Sequence, residues 1–278
     1  MAIQKGIVQL SGKLADLIFY QRKNKTVVRS VKKDRTPYQL SEGSKKSGKD
    51  FGEASRNAKY IRKAFAPLVS KYADNEIINR LNKRLLDVFN TIAIENRGNK
   101  KLADGNLSLL QGFEFNKHTS LGQLYYNTPI LSIKPDGKLS LRLIGGEMRS
   151  LFASQKKLQH VCLNLMIFNF DLNGDDYQIF EVNELRLPFN EVFIGGNIID
   201  LQTDQIGDKA LLIALGVHYL NGSTRSYDKK KYACKITHAL HLTDGMIVPF
   251  IEPIVEEKPK DEDEEDTGLS WLIGGLSH

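Results

Sequence analysis

Strong tight-turn signals divide the second half of the chain: Pro135-Asp136-Gly137, Asn173-Gly174, Asn221-Gly222 and Asp244-Gly245. Asn-Gly and Asp-Gly favour the positive φ values that two-residue hairpin turns require. The runs between these turns are alternating or continuously apolar, which predicts strands. We expect strands near residues 128–134, 138–144, 159–170, 177–187, 191–199, 209–220, 231–241 and 246–251. About eight strands with little helix predict a β-sandwich or open barrel over residues 107–251.

The beginning of the chain predicts a β-ribbon. Residues 7–10, 14–20 and 26–31 are expected strands, with a turn or bulge at residues 11–13. A ribbon of two or three strands is only marginally stable in water. Its apolar side chains therefore need a cover, either the helices that follow or another subunit. We take Leu17, Phe19 and Val28 as candidate self-association residues.

Two amphipathic helices are predicted after a polar loop at residues 32–49. The first is expected to start near Ser47 or Asp50, either of which can cap a helix, and Pro67 should kink or end it. The second is expected to start at Asp74 and to end by residues 97–99, with Arg80 facing outward. The ribbon and the helices form the predicted first region, residues 1–101.

Charge is distributed unevenly along the chain. Residues 1–101 carry 23 Lys/Arg against 9 Asp/Glu, whereas residues 252–278 carry 2 against 9. The first helix is densely basic, which indicates a phosphate-binding surface, a contact with an acidic partner such as residues 256–266, or simply a solvated helix face. The candidate contact residues are Lys45, Lys46, Lys49, Arg56, Lys59, Arg62 and Lys63.

The C-terminal region, residues 252–278, has the composition of a disordered acidic linker. It ends in an apolar tip that contains the only tryptophan, and we take Trp271, Leu272 and Ile273 as a candidate docking tip. A frayed tail, or a strand that folds back onto the body, is the alternative.

No catalytic motif is recognisable. G-x-S-x-G, P-loop and G-x-G-x-x-G patterns are all absent. Strand alternation is expected to place Glu181 and Glu184 on opposite faces. The six histidines show no metal-ligand spacing, and Cys162 and Cys234 lie in apolar runs that predict core positions. We therefore expect no enzymatic activity, no cofactor and no metal.

One segment is similar to a calcium-binding loop. Asp171, Asn173 and Asp175 occupy the first three ligand positions, but the sixth position is Asp176 and the twelfth is Val182. An EF-hand loop needs glycine and glutamate at those two places. A β-hairpin is therefore the preferred interpretation.

The ribbon, the basic helix and the segment after the second helix carry a resemblance to a known family. The matching residues are Gly6, Gly12-Lys13, Asp16-Leu17, Phe19-Tyr20, Val28-Arg29-Ser30, Phe51, Arg56, residues 61–65, Pro67-Leu68 and residues 110–116. On these residues the chain resembles an uncharacterised bacterial protein family with a Gly-rich N-terminal β-ribbon and basic helix followed by an immunoglobulin-like β-sandwich. Ala15 stands where that family usually has a second glycine. The resemblance implies the architecture and supplies no function.

These observations predict an α+β chain and a non-enzymatic structural or interaction protein. The expected partner is another protein or a second copy of the chain. A second hypothesis is a sequence-independent nucleic-acid binder that uses the basic helix, and a third is an enzyme with an unrecognised site. No stretch has the character of a signal peptide or a membrane span, so a cytoplasmic location is expected.

Overall fold

A computed structural model of the protein describes residues 2–3, 10–22, 25–31, 39–70, 72, 74–134, 138–154, 159–174, 176–202 and 206–253. The helices are α1 (Glu42–Ala64), α2 (Ala66–Val69), α3 (Ile77–Asn90), α4 (Leu121–Leu124) and α5 (Met148–Leu151). The strands are β1 (Ala2–Ile3), β2 (Gly12–Leu14), β3 (Leu17–Arg22), β4 (Lys25–Ser30), β5 (Ile130–Ile133), β6 (Lys138–Leu143), β7 (Gly146–Glu147), β8 (His160–Asp171), β9 (Tyr177–Pro188), β10 (Val192–Phe193), β11 (Gly196–Gln202), β12 (Asp208–Asn221), β13 (Thr224–Arg225), β14 (Tyr232–Thr243) and β15 (Met246–Ile247). The predicted combination of helices with antiparallel sheet is confirmed at this level.

The contacts of the chain divide it into two compact units, residues 1–45 and 46–278. This division differs from the sequence-based one, which separated residues 1–101 from 107–251. The reason is that α1, α3 and the large sheet described below share one hydrophobic core. The three regions taken from the sequence, residues 1–101, 107–251 and 252–278, stay a prediction.

The first unit contains a four-stranded antiparallel sheet in the order β1-β4-β3-β2, here called the N-terminal sheet. The predicted strand at residues 26–31 is confirmed, whereas the strand expected at residues 7–10 lies mostly outside the described residues. The predicted turn at residues 11–13 is wrong. The chain turns at Ala15-Asp16, so Leu14 ends β2 rather than beginning the next strand. Ala15 has a φ of 49°, in the left-handed region that glycine adopts more easily.

Helix α1 begins at Glu42, earlier than predicted. The hydroxyl of Ser41 accepts a hydrogen bond from the backbone N–H of Ser44 at 3.2 Å, as an N-cap residue does. The predicted interruption near Pro67 is confirmed, because α1 ends before Phe65 and Pro67 lies in the first turn of α2. Helix α3 is shorter than predicted because its C-terminal continuation is a 3-10 turn at Ile94–Asn96.

The second unit is built around a sheet of six strands, here called the large sheet. Its strand order is β15-β14-β12-β8-β9, and β13 pairs with β12. All its described pairs are antiparallel. The predicted hairpin turns at Asn173-Gly174, Asn221-Gly222 and Asp244-Gly245 connect β8 to β9, β12 to β13 and β14 to β15. The signal at residues 135–137 lies outside the described residues.

Both faces of the large sheet are covered. Side chains alternate along a strand, so Met166, Phe168 and Phe170 of β8 face one side, where they pack with α1 and α3. Val161, Leu163 and other residues of opposite parity pack with the sheet β11-β6-β5 and with α4 and α5. The arrangement is compatible with the predicted β-sandwich on one side, and the helices form a third layer on the other.

Arg80 joins the helical layer to the segment that precedes α4, contrary to its predicted outward position. Its guanidinium donates to Asp74 Oδ2 at 2.7 Å and to the carbonyls of Glu114 and Phe115 at 2.6 and 2.9 Å. Asp74 also accepts from the backbone N–H of Glu76 and is 3% exposed. Asp74, predicted to begin the helix, therefore forms the turn that precedes it.

Candidate functional site

The N-terminal sheet places the predicted self-association residues on one face. Phe19 of β3 lies directly opposite Val28 of β4, and Leu17 of β3 lies opposite Leu14 of β2. Because side chains alternate, these four residues share a face, here called the ribbon face. Leu14 is 63% exposed and Leu17 is 41% exposed, whereas Phe19 and Val28 are half-buried. The ribbon face is therefore a contiguous, incompletely covered apolar surface.

The exposed side of α1 carries the predicted basic contacts. The buried residues of this helix include Ala54, Ala58 and Ile61, which form a single stripe. On the opposite side Lys49, Arg56, Lys59 and Lys63 are exposed, as are Lys45 and Lys46. Arg62 is half-buried: burial lowers the pKa of its side chain, and its guanidinium donates to Asn82 at 3.4 Å.

Part of this basic surface lines a groove of about 700 Å³. Lys49 and Arg56 come from α1, and Lys100 and Lys101 come from the segment after α3. Two acidic groups reduce the positive potential: Glu53 pairs with Arg56 at 2.9 Å, and the buried Asp50 carboxylate accepts from the backbone N–H groups of Gly98 and Lys100. Leu102, Phe170 and Leu172 also line the groove, which therefore offers cations and apolar walls together.

A cluster of polar side chains lies at one end of the large sheet, on the face toward the helices. Cys162 of β8 is directly opposite His218 of β12, and both side chains are buried. Glu184 of β9 reaches the same place, with its Oε2 atom 3.4 Å from Nε2 of His218. The ligand atoms of the three residues all lie within 4.8 Å of one another. We call these three residues the Cys-Glu-His cluster.

Sequence reasoning missed this cluster because of a β-bulge. Leu165 pairs with Val182 and Leu163 with Leu185, so two residues on β9 oppose one residue on β8. The extra residue changes the alternation, and Glu181 and Glu184 line the same pocket instead of pointing to opposite faces. No spacing in the sequence reveals this, because the three cluster residues come from three strands.

Several donors surround the carboxylate of Glu184. Its Oε2 atom accepts from Arg225 at 2.8 Å and from Asn164 at 3.1 Å. Burial by itself would raise the pKa of Glu184, but the Asn164 hydrogen bond and the neighbouring His218 and Arg225 lower it below the usual value. The Cys162 thiol also hydrogen-bonds to Glu184, and burial together with this carboxylate raises the thiol pKa to about 12.

A pocket of about 320 Å³ opens beside the cluster. Glu184, His218 and Arg225 line it together with Pro67 and Leu68 of α2. The position of α2 is fixed by Tyr232, whose hydroxyl donates to the carbonyl of Leu68. The pocket therefore combines a rigid wall with convergent polar groups.

Cys234, the second cysteine, lies elsewhere on the large sheet. Both cysteines are buried free thiols, which agrees with their predicted core positions. Among the residues that the structure describes, only the Cys-Glu-His cluster brings three potential metal ligands together in this way.

The candidate docking tip at Trp271, Leu272 and Ile273 lies outside the described residues, so its docking stays a prediction. Within the described ranges, no helix is both long enough and apolar enough to cross a membrane. Comparison of the chain with protein-family models, curated proteins and solved structures finds no match. The family resemblance therefore stays a prediction as well.

Proposed function

We propose that the protein is a non-enzymatic structural or interaction protein that self-associates through the ribbon face. The observation that carries this proposal is the register of the N-terminal sheet, which aligns Leu14, Leu17, Phe19 and Val28 on one incompletely covered face. A small sheet gains its stability from burying such a face. Among the described residues of the first unit, only Val27 and Thr26 are buried, so this unit has little core of its own.

The proposed occupant of the ribbon face is a second copy of the chain. Two such faces can pack against each other about 10 Å apart, as the two layers of a β-sandwich do. Residues 1–45 carry ten Lys/Arg against three Asp/Glu, so two copies repel each other there. Residues 252–278 of each copy are acidic and can attract the basic residues 1–45 of the other copy. This attraction favours a second copy of the chain as the partner.

Light scattering of the full chain after size-exclusion chromatography tests the proposal. We expect an oligomer for the wild type and a lower mass for Phe19→Asp, because a carboxylate on the ribbon face opposes its burial. The control is Ile194→Asp, since Ile194 is 94% exposed and belongs to the second unit. A monomeric wild type, or equal masses for Phe19→Asp and the wild type with both folded, would reject self-association.

Sequence-independent binding of nucleic acid is the second candidate function. It is favoured by the four cations that converge on the larger groove, Lys49, Arg56, Lys100 and Lys101. Exposed lysines and arginines along one helix face bind phosphates with strong dependence on salt. Phe51, an exposed aromatic residue of the same helix, could stack on bases.

An electrophoretic shift series across salt concentrations separates the two functions. If the second function holds, a single-stranded oligonucleotide should be retained at low salt and released as salt rises. The double variant Arg56→Glu/Lys59→Glu should weaken retention, whereas Lys229→Glu/Lys230→Glu, an equal charge change at exposed lysines elsewhere, should weaken it less. Absence of any shift at low salt removes this function.

A further inference from the structure

We propose that the Cys-Glu-His cluster is a binding site for one Zn²⁺ ion, with Cys162, Glu184 and His218 as its protein ligands. A thiolate sulfur, an imidazole nitrogen and a carboxylate oxygen are the ligand types that zinc prefers. The three residues come from neighbouring strands of the large sheet, so a rigid backbone positions them. The proposal is independent of self-association.

The spacing of the three side chains fits a tetrahedral ion. Bonds of zinc to sulfur, nitrogen and oxygen place neighbouring ligand atoms roughly 3.3–3.6 Å apart. The separation of 3.4 Å between His218 Nε2 and Glu184 Oε2 already matches this value. Every other pair lies within 4.8 Å, so closing each remaining separation by at most about 1.2–1.5 Å brings the ligands around one ion.

The distances in the cluster favour an ion site over a proton relay. In a relay, the imidazole lies between the thiol and the carboxylate and uses one nitrogen for each. Here the ligand atoms of Cys162 and Glu184 lie within 4.8 Å of each other, and His218 Nε2 lies 3.4 Å from the same carboxylate. All three groups therefore converge on one region, which a metal ion fills by replacing the thiol proton.

Binding requires one proton to leave. The thiol of Cys162 becomes a thiolate bound to Zn²⁺, and its proton passes to the buffer. Arg225 and Asn164 then act as positioning residues, because both already hold the carboxylate of Glu184 in place. The fourth coordination position faces the smaller pocket, which Glu184 and His218 line. That pocket has room for a water molecule or a small anionic ligand.

Cobalt titration of the full chain tests the site. Co²⁺ replaces zinc in such sites, and its bond to a thiolate gives a near-ultraviolet charge-transfer band. After treatment with a chelator, the wild type should bind one Co²⁺ per chain with this band, and Zn²⁺ should displace the cobalt. Cys162→Ser should lose the band.

The second cysteine supplies the matched control. Cys234 is as fully buried as Cys162 and lies in the same sheet, but it is not part of the cluster. Cys234→Ser should keep both the band and the stoichiometry of one ion. Loss of the band in Cys234→Ser with its retention in Cys162→Ser would overturn the assignment, and so would a wild type that binds no Co²⁺.

A third variant keeps the test valid if removal of a buried thiol disturbs folding. Glu184→Gln retains the shape of a side chain that is 34% exposed, so the fold should be preserved, as circular dichroism can verify. Its affinity for Co²⁺ should be at least about tenfold lower than that of the wild type. An unchanged affinity in the folded variant would contradict the site.

Discussion

The N-terminal sheet and the large sheet are both antiparallel and both rich in apolar side chains, but they bury those side chains to different extents. In the large sheet, helices cover one face and a three-stranded sheet with α4 and α5 covers the other. In the N-terminal sheet, Leu14 and Leu17 of the ribbon face stay 63% and 41% exposed. A strand-forming sequence therefore specifies a sheet without specifying what covers it.

The physical consequence concerns stability. Burial of apolar area contributes about 25 cal/mol per Å², so a sheet covered on both faces is stabilised by its own chain. The N-terminal sheet, with one incompletely covered face, gains little stability from burial within its own chain. Association with another molecule can bury that face and supply further stability. The predictions below test this difference, beginning with the largest expected effect.

Removal of an aromatic ring from the core should show the difference in stability between the two sheets most clearly. Phe168 is 1% exposed and contacts Phe65, Phe170 and Tyr177. Phe168→Ala should lower the free energy of unfolding by about 3–5 kcal/mol in urea denaturation. At a protein concentration low enough to prevent association, Phe19→Ala should cost less than about 1 kcal/mol. Equal losses would show that the two sheets are supported equally well.

Asp74 tests how firmly the helical layer is held on the large sheet. Asp74→Asn removes a charged partner of Arg80 and should lower the free energy of unfolding by about 1–3 kcal/mol at neutral pH. Burial alone would raise the pKa of Asp74, but hydrogen bonds from the Glu76 backbone and from Arg80 bring it below its usual 3.8.

The lowered pKa gives this prediction a definite pH dependence. The stabilisation that the Asp74 carboxylate provides is fully present above pH 3.8 and is lost as the pH falls through the lower pKa of the folded state. The difference between wild type and Asp74→Asn should therefore shrink as the pH falls below about 4. Acid unfolding of both proteins in parallel checks this, and a difference that stays constant to pH 2 would contradict the role of the carboxylate.

The backbone at Ala15 offers a smaller effect, confined to the N-terminal sheet. Ala15→Gly should stabilise that sheet by about 0.5–1 kcal/mol, because glycine adopts a positive φ without a steric penalty. Asp244 has a similar φ of 47°, but its carboxylate accepts from the backbone N–H of Gly207 at 2.8 Å. Asp244→Gly should therefore not increase stability, because it loses this hydrogen bond. Amide hydrogen exchange in the two hairpins measures the effect of each substitution.

The sequence predicted those parts of the fold that depend on local signals. Turn residues such as Asn173-Gly174 located the long strands to within a few residues, and Pro67 located the break between α1 and α2. The start of α1 was missed because Ser41 caps it within a segment that is otherwise loop-like in composition. Arg80 was misplaced because its partners, Glu114 and Phe115, lie more than 30 residues away.

The candidate sites divide in the same way. Leu17, Phe19 and Val28 were recognisable as apolar residues of a short predicted ribbon, although their shared face depends on the pairing of β3 with β4. The basic residues of α1 were visible as a charge run. The Cys-Glu-His cluster was not, because its geometry depends on the register of three strands and on the bulge opposite Asn164. Long-range register is set by packing, and a single sequence does not display it.

Hydrogen exchange at several protein concentrations tests the central claim most directly. If the ribbon face pairs with a second copy, amides of β3 and β4 should be protected at high concentration and lose protection on dilution. Amides of β8 and β12 should exchange equally slowly at every concentration, because helices cover one face of the large sheet and the three-stranded sheet β11-β6-β5 covers the other. Protection of β3 and β4 that is independent of concentration would contradict the claim that the N-terminal sheet depends on a partner.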